Sequence, residues 1–240
     1  MGNPMRDPFA SGSWHTRPAM RRALFLSIPL YLAVPILYAL GILGLGHDVQ
    51  VGALLAGAAG WIVALVLRAP VGLLGVRVTR SNERAQRWVV ASSGPLEESV
   101  RLAVLLLVGR DLGTALWIGL GWAAIEVVYA IVNGFAVEAL SRRTDPEAER
   151  ARALLPPAAL SGSAPWWGVA ERFWATALHI GFTLILAAIP VLVVVTAAVH
   201  SAINVAFLWL VGHRGLLLTT LAGLATGGGI LVLGLWLHTI

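Results

Sequence analysis

The sequence predicts an all-α fold, a polytopic membrane bundle of about seven transmembrane helices with a cytoplasmic N-terminus. Three observations support this prediction. The chain of 240 residues is 58% hydrophobic and only 12% charged, whereas a soluble domain carries about 25% charged residues. Apolar segments of about 20 residues, the length that a helix needs to cross a bilayer, recur along the chain. Arginines fall in alternate connections between these segments.

Seven apolar segments are long enough to cross a membrane. They run from Ala23 to Gly46, Val49 to Leu67, Trp88 to Gly109, Leu112 to Phe135, Trp167 to Ala188, Pro190 to Val211 and Leu216 to Leu237. We therefore divide the chain into a cytoplasmic N-terminal tail, residues 1–22, and a single transmembrane domain, residues 23–240. The longest polar connection, from Thr144 to Pro165, is predicted to be a flexible connector.

The arginines orient the predicted bundle, because positively charged connections stay in the cytoplasm. In a seven-span arrangement one side carries Arg6, Arg17, Arg21, Arg22, Arg68, Arg77, Arg80, Arg84, Arg87, Arg142, Arg143, Arg150, Arg152, Arg172 and Arg214. Arg110 is the arginine on the other side. This distribution places the N-terminus in the cytoplasm and the C-terminus outside. Arg172, with Glu171, is predicted to lie at the membrane interface.

The net charge of +5 thus reflects membrane orientation, and we expect no nucleic-acid partner. The expected partners are membrane lipid and a membrane-protein or peptide substrate, and the expected location is the plasma membrane of a bacterium. The oligomeric state is left open.

Residue types that are absent exclude several kinds of chemistry. The chain has no cysteine, which excludes disulfides, thiolate metal sites and a cysteine nucleophile. All 17 basic residues are arginines, so a lysine base and Schiff-base chemistry are excluded as well. Neither the Gly-x-Ser-x-Gly elbow of serine hydrolases nor the His-Glu-x-x-His helix of zinc proteases occurs.

Ionisable side chains nevertheless occur inside four of the apolar segments. A charge near the bilayer centre costs about 3 kcal/mol on insertion scales, so such residues face the bundle interior and mark chemistry, transport or paired packing. They are Glu97, Glu98 and Arg101 in the third segment, Glu126 in the fourth, His179 in the fifth, and His200 with Asn204 in the sixth. Two adjacent carboxylates, a third carboxylate and two imidazoles are the groups that hydrolysis inside a membrane needs.

Each group also has a purely structural interpretation. Gly94 and Pro95 predict that a helix begins at this point, with Pro95 in its first turn, and Glu97 and Arg101 then form an ordinary i,i+4 pair. The apolar run before Gly94 places this start inside the membrane, which favours a functional role instead. Glu126 serves as a buried ion-pair partner, and His200 with Asn204 forms an interhelical clasp. The sequence predicts that these groups share one cavity. Such convergence distinguishes a functional site from four unrelated packing features.

Taken in order from Leu96 to about Leu208, these motifs resemble the type II CAAX prenyl protease superfamily. The closest resemblance is to its YhfC-type and PrsW-type bacterial membrane peptidases, and the superfamily also includes the anterior-pharynx-defective subunit of γ-secretase. The matching motifs are Glu97-Glu98-x-x-Arg101, Trp122-x-x-x-Glu126, His179 and His200-x-x-x-Asn204. Arg101 lies one residue closer to the glutamate pair than in prenyl proteases, and Glu126 replaces a histidine pattern. These two departures argue against CAAX substrates.

The resemblance and the residues together predict an intramembrane peptidase with its site core in residues 94–208. In this hypothesis Glu97 activates water, Glu98 or Arg101 positions it, and His179, His200 and Asn204 stabilise the oxyanion. A second mechanism uses a divalent metal, with zinc held by His179, His200 and Glu126. Two other functions stay open, a non-catalytic membrane scaffold and a proton-coupled transporter.

Overall fold

The computed structural model describes residues 16–153, 155, 160, 161 and 163–240. Over these residues the prediction of an all-helical chain is confirmed, because they form seven α-helices, one short 3-10 turn and no strand. The α-helices are α1 (Thr16–Gly44), α2 (Val51–Thr79), α3 (Asn82–Val108), α4 (Leu112–Arg142), α5 (Pro146–Ala153), α6 (Ala164–Ala188) and α7 (Val193–Leu237).

Five of the described segments are long and apolar enough to cross a membrane. They are Met20–Gly44, Val51–Thr79, Leu112–Arg142, Ala164–Ala188 and Pro190–Leu237. Helix α3 has sufficient length, with 27 residues, but it carries Glu97, Glu98 and Arg101. The chain therefore has the architecture of a helical membrane protein, with one long helix that is unusually polar.

Helix α7 is 45 residues long and is broken at Gly215. Gly215 has φ 81° and ψ 172°, a conformation that a residue with a Cβ rarely adopts. The break separates residues 193–214 from residues 216–237. These two parts correspond to the sixth and seventh apolar segments of the sequence.

Helix α6 is the central element of the bundle. Its residues from Trp174 to Ala187 are buried, and it packs against α1, α3, α4 and α7. Helix α2 completes the bundle by packing against α3 and α4. Leu105, Ile118 and Leu184 are fully buried in the main apolar cluster. This arrangement brings α3, α4, α6 and α7 together in the interior.

The predicted start of a helix at Gly94-Pro95 is wrong. Helix α3 begins at Asn82 and continues through Pro95. Proline lacks an N–H, so the carbonyl four residues earlier loses its helical donor. That carbonyl belongs to Ala91, and the hydroxyl of Ser201 on α7 donates to it at 2.6 Å. A neighbouring helix thus supplies the missing hydrogen bond, which is how membrane helices tolerate proline.

Gly94 allows this contact between α3 and α7. A Cβ at Gly94 would lie 2.0 Å from the carbonyl oxygen of Ala197 and 2.5 Å from Oγ of Ser201. The backbones of the two helices therefore touch at Gly94, one turn before Glu97 and Glu98. The Gly-Pro pair fixes a helix contact rather than a helix start.

Helix α1 begins at Thr16, before the first predicted apolar segment, and residues 1–15 of the predicted tail lie outside the described residues. One prediction about a connection needs correction. The predicted flexible connector contains helix α5. Asp145 precedes this helix, and its Oδ1 accepts from the N–H of Ala148 at 3.1 Å. A hydrogen bond from Arg143 lowers the pKa of Asp145 to about 2, so Asp145 is ionised and suits the helix N-terminus.

Candidate functional site

Six of the predicted site residues lie together in one cluster between α3, α4, α6 and α7: Glu97, Glu98, Arg101, Glu126, His179 and His200. The ring centroids of His179 and His200 are 6.1 Å apart, and Glu97, Glu98 and Glu126 each contact one of these rings. Asn204 lies one turn beyond His200 and donates to Oγ of Ser93 at 2.8 Å instead of joining the charged groups.

Arg101 is the centre of the cluster and is fully buried. Its Nε donates to Oε2 of Glu98 at 3.1 Å. Its Nη1 donates to the carbonyl of His179 at 3.1 Å and to Oγ1 of Thr183 at 2.8 Å. The guanidinium also lies over the Trp122 ring, 4.2 Å from its centroid. Arg101 thereby joins α3 to α4 and α6.

The hydrogen bonds of His179 fix its tautomer. Nη2 of Arg101 lies 3.1 Å from Nδ1 of His179, and a guanidinium can only donate. Nδ1 is therefore the acceptor, and the ring proton lies on Nε2. Nε2 donates to Oε2 of Glu126 at 2.5 Å. Both ring nitrogens are engaged, so His179 is neutral and tightly held.

His200 is oriented by a carboxylate. Its Nδ1 lies 2.7 Å from Oε1 of Glu98, so Nδ1 donates and Nε2 is turned away from Glu98. The imidazole also stacks on the ring of Phe182, with centroids 5.3 Å apart. Nε2 lies 3.7 Å from Oε1 of Glu97, beyond hydrogen-bond length. Nε2 of His200 and the carboxylate of Glu97 therefore face each other without bonding.

The carboxylate of Glu97 is surrounded by donors from three helices. Trp122 Nε1 donates to its Oε2 at 3.1 Å, and Nη2 of Arg101 lies 3.8 Å from the same oxygen. Nη2 of Arg68, on α2, donates to Oε1. The side chain of Glu97 is only 4% exposed, so its negative charge is balanced inside the protein.

Two arginines that the sequence placed in or next to cytoplasmic connections belong to the cluster. Arg68 lies within α2 and pairs with Glu97. Arg172 was predicted to be interfacial, but its side chain is only 11% exposed, and Nη1 lies 2.9 Å from Oε1 of Glu126. The cluster therefore contains three arginines and three glutamates, whose formal charges cancel, and a second proton on His200 would lie between Glu97 and Glu98. This balance explains how the charges are tolerated in an apolar bundle.

A cavity of about 610 Å³ lies beside the cluster. Arg68, Glu126 and Asn204 line it, and most of its wall is formed by apolar and aromatic side chains such as Trp167 and Phe207. It lies at the end of the bundle where α2 and α4 end, α3 and α6 begin, and α7 breaks. Glu97 and both histidines lie behind this wall, so the cavity is adjacent to the charged cluster and does not contain all of it.

The side chains do not fit the predicted zinc site. Nδ1 of His179 accepts a hydrogen bond from a guanidinium, which places a positive charge next to a required ligand. His200 uses its Nδ1 to bond Glu98. Over the part of the chain that the structure describes, no three His, Asp or Glu side chains are grouped to hold a metal ion. The set His179, His200 and Glu126 is therefore corrected to a hydrogen-bonded cluster.

The sequence itself carries a signal that Arg68 lies within a helix. The apolar run of α2 continues beyond Arg68, through Val71, Leu73 and Leu74, so this arginine lies inside a longer apolar helix. Arg172 precedes His179 by seven residues, so the two side chains lie two turns apart on the same helix face. This spacing indicates that Arg172 points inward with His179. Thr183 follows His179 by one turn, and its hydroxyl receives a hydrogen bond from Arg101.

No family model, curated protein or solved structure matches this chain. The resemblance to the type II CAAX protease superfamily therefore stays a prediction that rests on the short motifs alone. The functional interpretation depends on the geometry of the cluster and the adjoining cavity.

Proposed function

We propose that the protein is a membrane-embedded peptidase of the type II CAAX protease superfamily, closest to its YhfC and PrsW types. The observation that supports this proposal most strongly is the opposition of Glu97 Oε1 and His200 Nε2, 3.7 Å apart. Both are buried next to a cavity large enough for a peptide segment. A carboxylate base facing an imidazole is an arrangement suited to general acid–base catalysis.

In the proposed reaction Glu97 takes a proton from water as the water oxygen bonds to the scissile carbonyl carbon. The carbonyl becomes a tetrahedral oxyanion, which His200 stabilises through Nε2–H in its doubly protonated form. Glu98 holds Nδ1–H of the same ring and stabilises its positive charge. Glu97 then returns its proton to the amide nitrogen as the carbon–nitrogen bond breaks. The products are a new carboxyl terminus and a new amine.

The other site residues position these groups. Arg101 holds Glu98 in place and lies near Glu97. His179 links Arg101 to Glu126, so it orders the cluster through its neighbours in this arrangement. Asn204 lines the cavity and is placed to contact substrate. The reaction needs no metal, because the donor set does not fit one.

We further propose that the chain crosses the membrane seven times with a cytoplasmic N-terminus, in the plasma membrane of a bacterium. Helix α3 and the two parts of α7 supply the spans beyond α1, α2, α4 and α6. The charges of α3 are balanced within the bundle, which supports its insertion. The cavity then opens in the cytoplasmic half.

Topology reporters test the seven-span arrangement. We expect a reporter fused after Ile240 to read as extracytoplasmic and one inserted near Asp145 to read as cytoplasmic. The reason is that the arginine-rich connections stay in the cytoplasm. Alkaline phosphatase and green fluorescent protein fusions measure the two locations. A cytoplasmic C-terminus would show that the number of crossings is even and would contradict the arrangement.

A non-catalytic scaffold is the second candidate function. The observation that favours it is that every carboxylate of the cluster is already paired. Glu97, Glu98 and Glu126 each have an arginine partner. Such a cluster can serve as a clasp that sets helix positions. The proton-coupled transporter uses the same Glu126–His179 contact as a proton relay and stays a less supported alternative.

Cleavage by purified protein separates these functions. We expect the protein in nanodiscs to cut members of a membrane-peptide library, and 1,10-phenanthroline to leave the rate unchanged, because the cluster holds no suitable set of metal ligands. Elemental analysis of the same sample should find no stoichiometric zinc. Loss of cleavage on chelation and its recovery with zinc would contradict the metal-free mechanism. Absence of cleavage would favour the scaffold.

A further inference from the structure

Arg68 differs from the other charged groups that line the cavity. Arg172, Glu126 and Glu171 are bonded to one another, with Arg172 2.9 Å from Glu126 and 2.6 Å from Glu171. Arg68 instead has its carboxylate partner, Glu97, behind the cavity wall. Arg68 is thus the lining cation that is not neutralised by another lining residue.

Arg68 also has unused hydrogen-bonding capacity. A guanidinium has five N–H donors, and Nη2 of Arg68 bonds Glu97. Its Nε is buried and has no hydrogen-bond partner among the described residues. A buried donor without a partner in a native site calls for an explanation. A planar oxyanion such as a carboxylate matches the paired donors of arginine.

The surroundings of Arg68 define the rest of the ligand. Trp167, Phe207, Leu208, Val89 and Tyr129 line the same cavity. Walls of this kind bury the apolar part of a ligand, and a single polar group in the wall fixes its orientation. The combination points to an apolar chain that carries a single carboxylate.

We propose that Arg68 docks a carboxylate of an apolar peptide substrate and, by doing so, releases Glu97 to act as the base. This inference rests on the proposed peptidase function. The substrate carboxylate competes with Glu97 for the same guanidinium. When the substrate is bound, Glu97 loses its guanidinium partner from α2, and its Oε1 is free to accept a proton from water. Docking and activation are thereby coupled through one side chain.

Binding can be measured without cleavage. The probe is an N-terminally dansylated tetrapeptide of leucine and alanine with a free carboxyl terminus, compared with the same peptide ended by an amide. Fluorescence anisotropy is recorded with protein in phosphatidylcholine nanodiscs, and chromatography checks that the peptide stays intact. We expect wild-type protein to bind the carboxylate form about tenfold more tightly, because a charged hydrogen bond is replaced by a neutral one in the amide.

Variants separate docking from general stability. Arg68→Gln should remove the preference for the carboxylate, and Arg68→Lys should retain part of it because the charge is kept. Arg77→Gln is the matched control on the same helix, where Arg77 is exposed, and it should bind as the wild type does. Glu97→Gln should tighten binding of the carboxylate form by several-fold, since the competing carboxylate is gone.

Three outcomes would overturn the docking role. They are equal wild-type affinity for both peptides, an unchanged preference in Arg68→Gln, and an anionic phospholipid that copurifies with wild type but not with Arg68→Gln. The last result would assign the guanidinium to a lipid phosphate. The binding measurement itself does not depend on turnover. Arg68-dependent binding without cleavage supports docking and contradicts the peptidase, whereas cleavage without Arg68-dependent binding contradicts docking alone.

Discussion

Glu97→Gln is expected to lower peptide hydrolysis by ~10²–10⁴-fold while the protein still folds. Glutamine preserves the shape of the side chain and its ability to accept the hydrogen bond from Trp122, which lies 3.1 Å away. It cannot take a proton from water. Initial rates on any peptide that the wild type cleaves, together with thermal unfolding of both proteins, measure the two effects.

Glu138→Gln is a matched control for this change. Glu138 is a buried glutamate on α4 that pairs with Arg142, twelve residues and about 18 Å along the helix beyond Glu126. We expect this control to keep the wild-type rate. Wild-type turnover in Glu97→Gln would rule out the assignment of the base, whatever the effect on stability.

Arg101→Met is expected to have the largest effect on stability. It removes the fully buried cation at the centre of the cluster and leaves Glu98 with its charge uncompensated on that side. Breaking one side of a buried ion pair costs about 3–5 kcal/mol. Thermal unfolding in nanodiscs measures the loss, and Arg77→Gln, at an exposed position of α2, should have little effect.

The double variant Arg101→Met with Glu98→Gln isolates the pairing. Once Arg101 is absent, neutralising Glu98 removes an unpaired buried charge, so the double variant should be more stable than Arg101→Met alone. Additive losses in the two variants would show that Arg101 and Glu98 do not interact. Loss of stability without any loss of specific activity in the surviving protein would show that Arg101 and Glu98 serve the fold and do not position the catalytic groups.

The helical architecture could be predicted because apolar length and arginine placement depend on composition over many residues. The segment from Leu112 onward is an example, since α4 begins at that residue. The meeting of Glu97, Glu98, His179 and His200 could be anticipated because each interrupts an apolar segment, and such residues turn inward. Their partners in the cluster were predicted less well.

Three features depended on tertiary contacts that no local pattern records. The helix start predicted at Pro95 is wrong because the hydrogen bond that proline removes is replaced by one from Ser201, more than a hundred residues later. The sequence predicts Arg68 in a connection and Arg172 at the membrane interface, because an arginine near the end of an apolar run usually reaches the membrane surface. In this bundle their carboxylate partners lie inward, and the side chains follow them.

The most direct test of the account is to incubate purified protein in nanodiscs with a membrane-peptide library in water enriched in ¹⁸O. Hydrolysis by activated water places one ¹⁸O atom in each new carboxyl terminus, which mass spectrometry detects. The account predicts labelled termini with wild-type protein, undiminished by 1,10-phenanthroline, and at least ~10²-fold fewer with Glu97→Gln. Labelled termini produced equally by both proteins, or by neither, would contradict the claim that the buried cluster is a glutamate-dependent hydrolytic site.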